Sequence, residues 1–176
     1  HANWRLNYAN KSDVTMTIIR LIDKALAGTL IIAMVSILLT VIWQVVSRYV
    51  LKDPASVTEE LSRFILIWIG ILGAAYAYRQ NAHLGFNLIV ERQSRKVKRL
   101  LLTCVEVIVI IFCVLVMVYG GAELVSLTLE LEQISAALGV KMGFIYSVLP
   151  LSGGLIIAYA LVNITALWRN NNKESA

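Results

Sequence analysis

The chain has 176 residues, 59% of them hydrophobic and 15% charged, with a formal net charge of +5 and a mean hydropathy of +0.74. That composition leaves no room for a separate soluble domain. The basic excess flanks apolar stretches, so it reads as a topology signal and not as a nucleic-acid footprint.

Four stretches satisfy the bilayer-length rule of about 20 apolar residues per spanning helix. They predict an all-α integral membrane protein with spans at about 25–47, 57–79, 100–122 and 142–168. Residues 1–24 are expected as an N-terminal segment and 169–176 as a tail, both on the cytoplasmic side. Lys and Arg are retained there in short loops. Arg5, Lys11, Arg20 and Lys24, the run Arg79, Arg92, Arg95, Lys96, Lys98 and Arg99, and finally Arg169 and Lys173 all fall on that side. Residues before Ala25 are too polar for a secretory signal, so the first span is expected as a retained anchor.

Span one ends at Ser47-Arg48-Tyr49, with Trp43 and Tyr49 suited to the outer aromatic belt. Arg48 there either snorkels to phosphate or makes a specific contact. Lys52-Asp53-Pro54 turns the chain, and Ser56 with Glu59 three residues on has the form of a capping box. Helix two is therefore predicted to open at Ser56, and from Val57 to Arg79 it spans roughly 34 Å, enough to cross the hydrocarbon. Its first turns carry Glu59, Glu60 and Arg63. Both acids stand at helical pairing distance from Arg63, yet one arginine cannot neutralise two carboxylates. A surplus acid is expected to need Arg48, Lys52, a wet pocket or another subunit.

Farther along, Gly70/Ala74 and Gly73/Ala77 are small-xxx-small pairs that let a second helix come close. Packing inside this chain is the favoured expectation, ahead of an intersubunit seam. Trp68, deep in the span, is expected to fill a packing gap. The connection from Arg79 to Arg99 mixes apolar residues with basic ones, as an interfacial segment would. Arg79, His83, Arg95, Lys96 and Arg99 are its candidate contacts to the inner leaflet and its phospholipids.

Cys104 and Cys113 share one helix too far apart to bridge, and read as small apolar fillers. Glu106 lies about two turns inside the third span, within reach of Arg79 or the inner interface, so structural pairing is favoured over a relay. The alternating pattern from Glu123 to Lys141 leaves strand, short helix and loop all open. In span four, Pro150 removes a backbone donor and predicts a kink near Pro150 to Gly154. The chain carries no phosphate loop, metal-ligand cluster, nucleophile elbow or paired haem histidines. No catalytic residue, metal site or cofactor is therefore expected in this chain.

Ser47-Arg48-Tyr49, Thr58-Glu59-Glu60-Leu61-Ser62-Arg63, Trp68, Gly73-Ala74-Ala75, Arg79 with His83, and Leu149-Pro150-Leu151 together resemble the DctQ-like small membrane subunit of tripartite ATP-independent periplasmic (TRAP) transporters. The resemblance runs from Arg20 to Arg169 and looks closest to the sialic-acid systems; Asn87 stands where the family often carries an acid. It implies a non-catalytic four-helix subunit in the bacterial inner membrane, scaffolding a large multi-span permease that holds the sodium and substrate sites. A periplasmic binding protein would deliver an organic acid such as sialic acid or a C4-dicarboxylate. On that reading Arg48, Glu59, Glu60, Arg63, Trp68, Gly70, Gly73 and Ala74 are partner-interface or structural residues. The alternatives are a self-sufficient proton- or cation-coupled transporter using Glu106, and a membrane redox anchor, against which the histidine count argues.

Overall fold

The computed structural model describes residues 3–53, 56–81 and 95–169. Helix α1 (Asn3–Val46) is uninterrupted and at about 1.5 Å per residue reaches roughly 66 Å, more than a bilayer needs. The apolar first span is thus the C-terminal part of a longer helix. A π-helical turn, Ser47–Leu51, ends it, and Lys52 at φ 56° turns the chain left-handed. The Ser47 hydroxyl donates to the Asp53 carbonyl, and the Asp53 N–H donates back to Ser47 O at 3.2 Å. These two bonds close the turn into α2 (Ser56–Asn81).

The third helical run comprises α3 (Arg95–Phe112), a π-helical stretch (Cys113–Gly120) and α4 (Gly121–Glu130). Then come a turn, an isolated antiparallel bridge between Ile134 and Lys141, the short α5 (Met142–Tyr146) and α6 (Val148–Arg169). Four stretches are long and apolar enough to cross a membrane: Ile19–Leu51, Ser56–Gln80, Leu100–Glu130 and Met142–Thr165. The fold is all-α. Of the three forms open for Glu123 to Lys141, helix prevails as far as Glu130. The interruption in span four falls at Ser147, ahead of the predicted Pro150–Gly154. The Leu151 N–H still reaches the Ser147 carbonyl at 3.3 Å, so Pro150 sits inside a nearly continuous first turn of α6.

In space α2 lies between α1 and α6, and α6 packs in turn on α3 and its π-helical continuation. Leu26, Leu72 and Val148 form one core cluster, with Trp68 against it as the expected gap-filler. Ala75, Cys113 and Ile156 form a second. Both cysteines are free; Cys113 is buried and Cys104 exposed.

Close helix approach is built at other glycines than those the sequence suggested. A Cβ on Gly153 would stand 2.7 Å from Met117 Cβ, and one on Gly121 would stand 3.0 Å from Pro150 Cδ. α6 thus opens a notch at Gly153 for the π-helical stretch, and α4 opens one at Gly121 for α6, where backbone proximity maximises dispersion contact. By contrast a Cβ on Gly70 or Gly73 would meet nothing within 4 Å, and Gly70, Ala74 and Ala77 are exposed. The expectation that this face packs inside the chain is therefore corrected: α2 turns it outward.

Candidate functional site

Two polar assemblies stand near the two ends of the helices. At one end Arg48 pairs with Glu59 across the turn between α1 and α2, with both side chains substantially exposed. The Gln44 amide donates to Thr58 O at 2.7 Å and to the Ser62 hydroxyl, binding the same two helices one turn deeper. Glu60 points the other way. Its Oε2 accepts the backbone N–H of Ala137 at 2.8 Å and of Leu138 at 3.0 Å. A carboxylate accepting several N–H groups is satisfied without a cation. It fastens the Ala137–Leu138 turn to α2.

The sequence reading of this stretch is corrected in two respects. Neither acid pairs with Arg63 along the helix, because each is drawn to a partner the fold brings from outside α2. The surplus group is consequently the base and not an acid. Among the described residues Arg63 has no ion-pair partner and is exposed.

At the opposite end the polar contacts reach all four long helices. Asp23 on α1 accepts from Arg79 Nε at 3.3 Å and from the Tyr159 hydroxyl at 2.8 Å, and the Arg79 guanidinium lies 5.8 Å from the Tyr159 ring centroid. One residue earlier on α2, the Tyr78 hydroxyl donates to Glu106 Oε2. Asn163, one turn beyond Tyr159 on α6, donates to Glu106 Oε1 at 3.1 Å. Glu106 is only 3% exposed. Its partner is therefore not Arg79, as sequence distance allowed, because Asp23 takes that arginine. Deeper still, the Ser152 hydroxyl donates to Ile71 O at 2.9 Å, pinning α6 to α2.

Asp23, Gln44, Tyr78, Ser152, Tyr159 and Asn163 were not singled out from the sequence. Tyr78 and Arg79 beside each other, and Tyr159 one turn before Asn163, were a readable polar pattern. Which acid each would meet was not readable. His83 lies outside the described residues. Arg95, Lys96 and Arg99 fall in the first two turns of α3. Trp68 is partly buried, while Gly70 and Ala74 are exposed.

Each oxygen of Asp23 and of Glu106 accepts from a protein donor, so both carboxylates join helices. Among the described residues no group of three His, Cys, Asp or Glu side chains could hold a metal. The fold and its polar contacts define a class: a four-span, all-helical membrane subunit whose internal polar groups join helix to helix. The family model of the DctQ component of tripartite ATP-independent periplasmic transporters matches residues 37–170, and the chain belongs to that family. It is a transporter component and not an enzyme.

Relatives agree. A TRAP transporter small permease protein of Haemophilus influenzae is 28% identical over 134 residues, covering 76% of this chain and 80% of its own length. The sialic acid TRAP transporter permease protein SiaT of the same species is 27% identical over 135 residues, which are 77% of this chain but 21% of SiaT. The isethionate TRAP transporter permease protein DctMQ of Oleidesulfovibrio alaskensis is 27% identical over 141 residues, 77% of this chain and 22% of DctMQ.

Proposed function

We propose that this chain is the small permease subunit of a sodium-coupled TRAP transporter in a bacterial inner membrane, scaffolding and orienting a large permease subunit during uptake of an organic acid. The observation that carries the reading is the family match over most of the chain, joined to an interior whose carboxylates are spent on helix contacts. A subunit built this way supplies a fixed shape to a partner. Sodium and substrate then bind on the large subunit, and a periplasmic binding protein delivers the acid. The sialic-acid name of one relative and the isethionate name of another, at equal identity, favour a small organic anion and do not choose between these two.

Both termini face the cytoplasm in this reading, because the basic residues gather at that end of the helices. A thiol introduced at Ser126 should react with a membrane-impermeant maleimide in intact spheroplasts, and one at Lys24 only after lysis; the reverse order would overturn the orientation. For the function itself, vesicles reconstituted with the large subunit, the binding protein and this chain should accumulate the acid along an inward sodium gradient. Omission of this chain should abolish uptake. Equal uptake without it would end the scaffold reading, and uptake indifferent to sodium would end the coupling. The relay alternative receives no support from Glu106, whose two oxygens are closed off by Tyr78 and Asn163.

A further inference from the structure

Arg63 is the one ionisable side chain in the first two turns of α2 that the described residues leave unanswered. Glu59 is taken by Arg48 and Glu60 by the Ala137 and Leu138 amides. At about 1.5 Å per residue, Arg63 lies roughly 10 Å along the helix from Ser56, where an unpaired guanidinium facing hydrocarbon is costly. From it a single face continues at intervals of three and four residues through Leu66, Gly70, Ala74 and Ala77, all exposed. Space beside the glycines is empty within this chain.

Other exposed membrane faces are differently made. The outer half of α1 presents Ile31, Ile32, Leu38, Leu39 and Ile42. The exposed face of α6 runs Leu151, Gly154, Ala158, Leu161, Thr165 and Trp168, with small residues but no charge. Bulky apolar or neutral faces suit lipid. An arginine in register with glycine and alanine suits a helix that brings a negative group at one depth and close backbone contact below it.

We propose that this face of α2 seats a transmembrane helix of the large permease subunit, with a carboxylate on that helix pairing with Arg63; the proposal rests on the accessory-subunit reading above. A lipid phosphate reached by snorkelling would answer Arg63 alone. It would leave unexplained why the small residues continue in register for roughly 21 Å farther along the helix. The matched region also occurs as a minor part of longer permease polypeptides, where the remainder shares one membrane with it. A charged pair sheltered between two helices fixes depth and rotation together, which is what an orienting subunit must supply.

The test uses the intact membrane complex, purified in mild detergent through a tag on this chain. Wild-type chain should bring down the large subunit. Arg63→Glu should lower the recovered fraction by about thirtyfold or more, the effect of breaking a desolvated charge pair, while Arg63→Lys should retain most of it. Gly70→Leu, which meets nothing inside this chain, should also lose the partner while remaining monodisperse. A photocrosslinking residue at Ala74 should yield an adduct with the mass of both subunits, and one at Leu161 should not. Undiminished recovery with Arg63→Glu and Gly70→Leu, or lipid adducts only at Ala74, would overturn the docking face and leave the subunit reading intact. Failure of the wild-type chain to recover any permease would overturn both.

Discussion

Arg79 donates to Asp23 and not to Glu106, although Glu106 is the acid that sequence distance placed within its reach. This allocation makes two separate clasps out of three charged groups. One is ionic and joins α1, α2 and α6; the other rests on neutral donors and joins α2, α3 and α6.

The ionic clasp has a measurable consequence. Asp23→Leu leaves Arg79 without its carboxylate and should lower stability by about 1–3 kcal/mol, whereas the double change Asp23→Leu with Arg79→Leu should recover part of that loss. Denaturant or heat titration in detergent would read the coupling. Additive losses would mean that the pair does not interact in the membrane protein.

Glu106→Gln keeps an oxygen and an amide at the site and should cost under about 1 kcal/mol, because membrane hydrogen bonds are individually modest. Glu106→Leu strands the Tyr78 hydroxyl and the Asn163 amide and should cost about 1–3 kcal/mol. Equal melting temperatures for the two variants would show that the carboxylate does not hold the helices.

The notches between α6 and the π-helical stretch with α4 predict a sharp difference between glycines. Gly153→Val drives a branched side chain into Met117 and Val118 and should destabilise the chain by about 1–3 kcal/mol. Gly154→Val, with nothing within 4 Å, should leave the melting temperature nearly unchanged. Similar losses at both positions would contradict the packing described.

Glu60 anchors the Ala137–Leu138 turn through charge-assisted bonds from its two amides. Glu60→Ala should therefore raise hydrogen exchange at the Ala137 and Leu138 amides while leaving α3 and α6 protected. The exposed Arg48–Glu59 pair should contribute only about 0–1 kcal/mol in a double-mutant cycle. Unchanged exchange at the two amides would rule out the anchor.

Much of the fold was legible along the chain because a bilayer imposes a length on every apolar run and a charge rule on every short loop. The four spans and the start of α2 at Ser56 required nothing else. The small-residue pattern was legible as well, but its direction was not: Gly70, Ala74 and Ala77 face outward, while Gly121 and Gly153 carry the internal close approach. Helical spacing states which residues share a face and leaves open what that face meets.

Sequence alone determined that this is a four-span helical membrane protein with charged residues at the mouth of its second helix, since hydropathy and turn chemistry are local properties. Tertiary structure decided who answers each charge. Arg48 reaches Glu59 from another helix, backbone amides of the Ala137–Leu138 turn reach Glu60 from far along the chain, and Asp23 claims Arg79 ahead of Glu106. Pairing depends on the relative rotation and depth of packed helices, and those are set by side-chain volumes at their contacts. The same packing turned an expected surplus of acid at the mouth of α2 into an arginine, Arg63, without an ion-pair partner among the described residues.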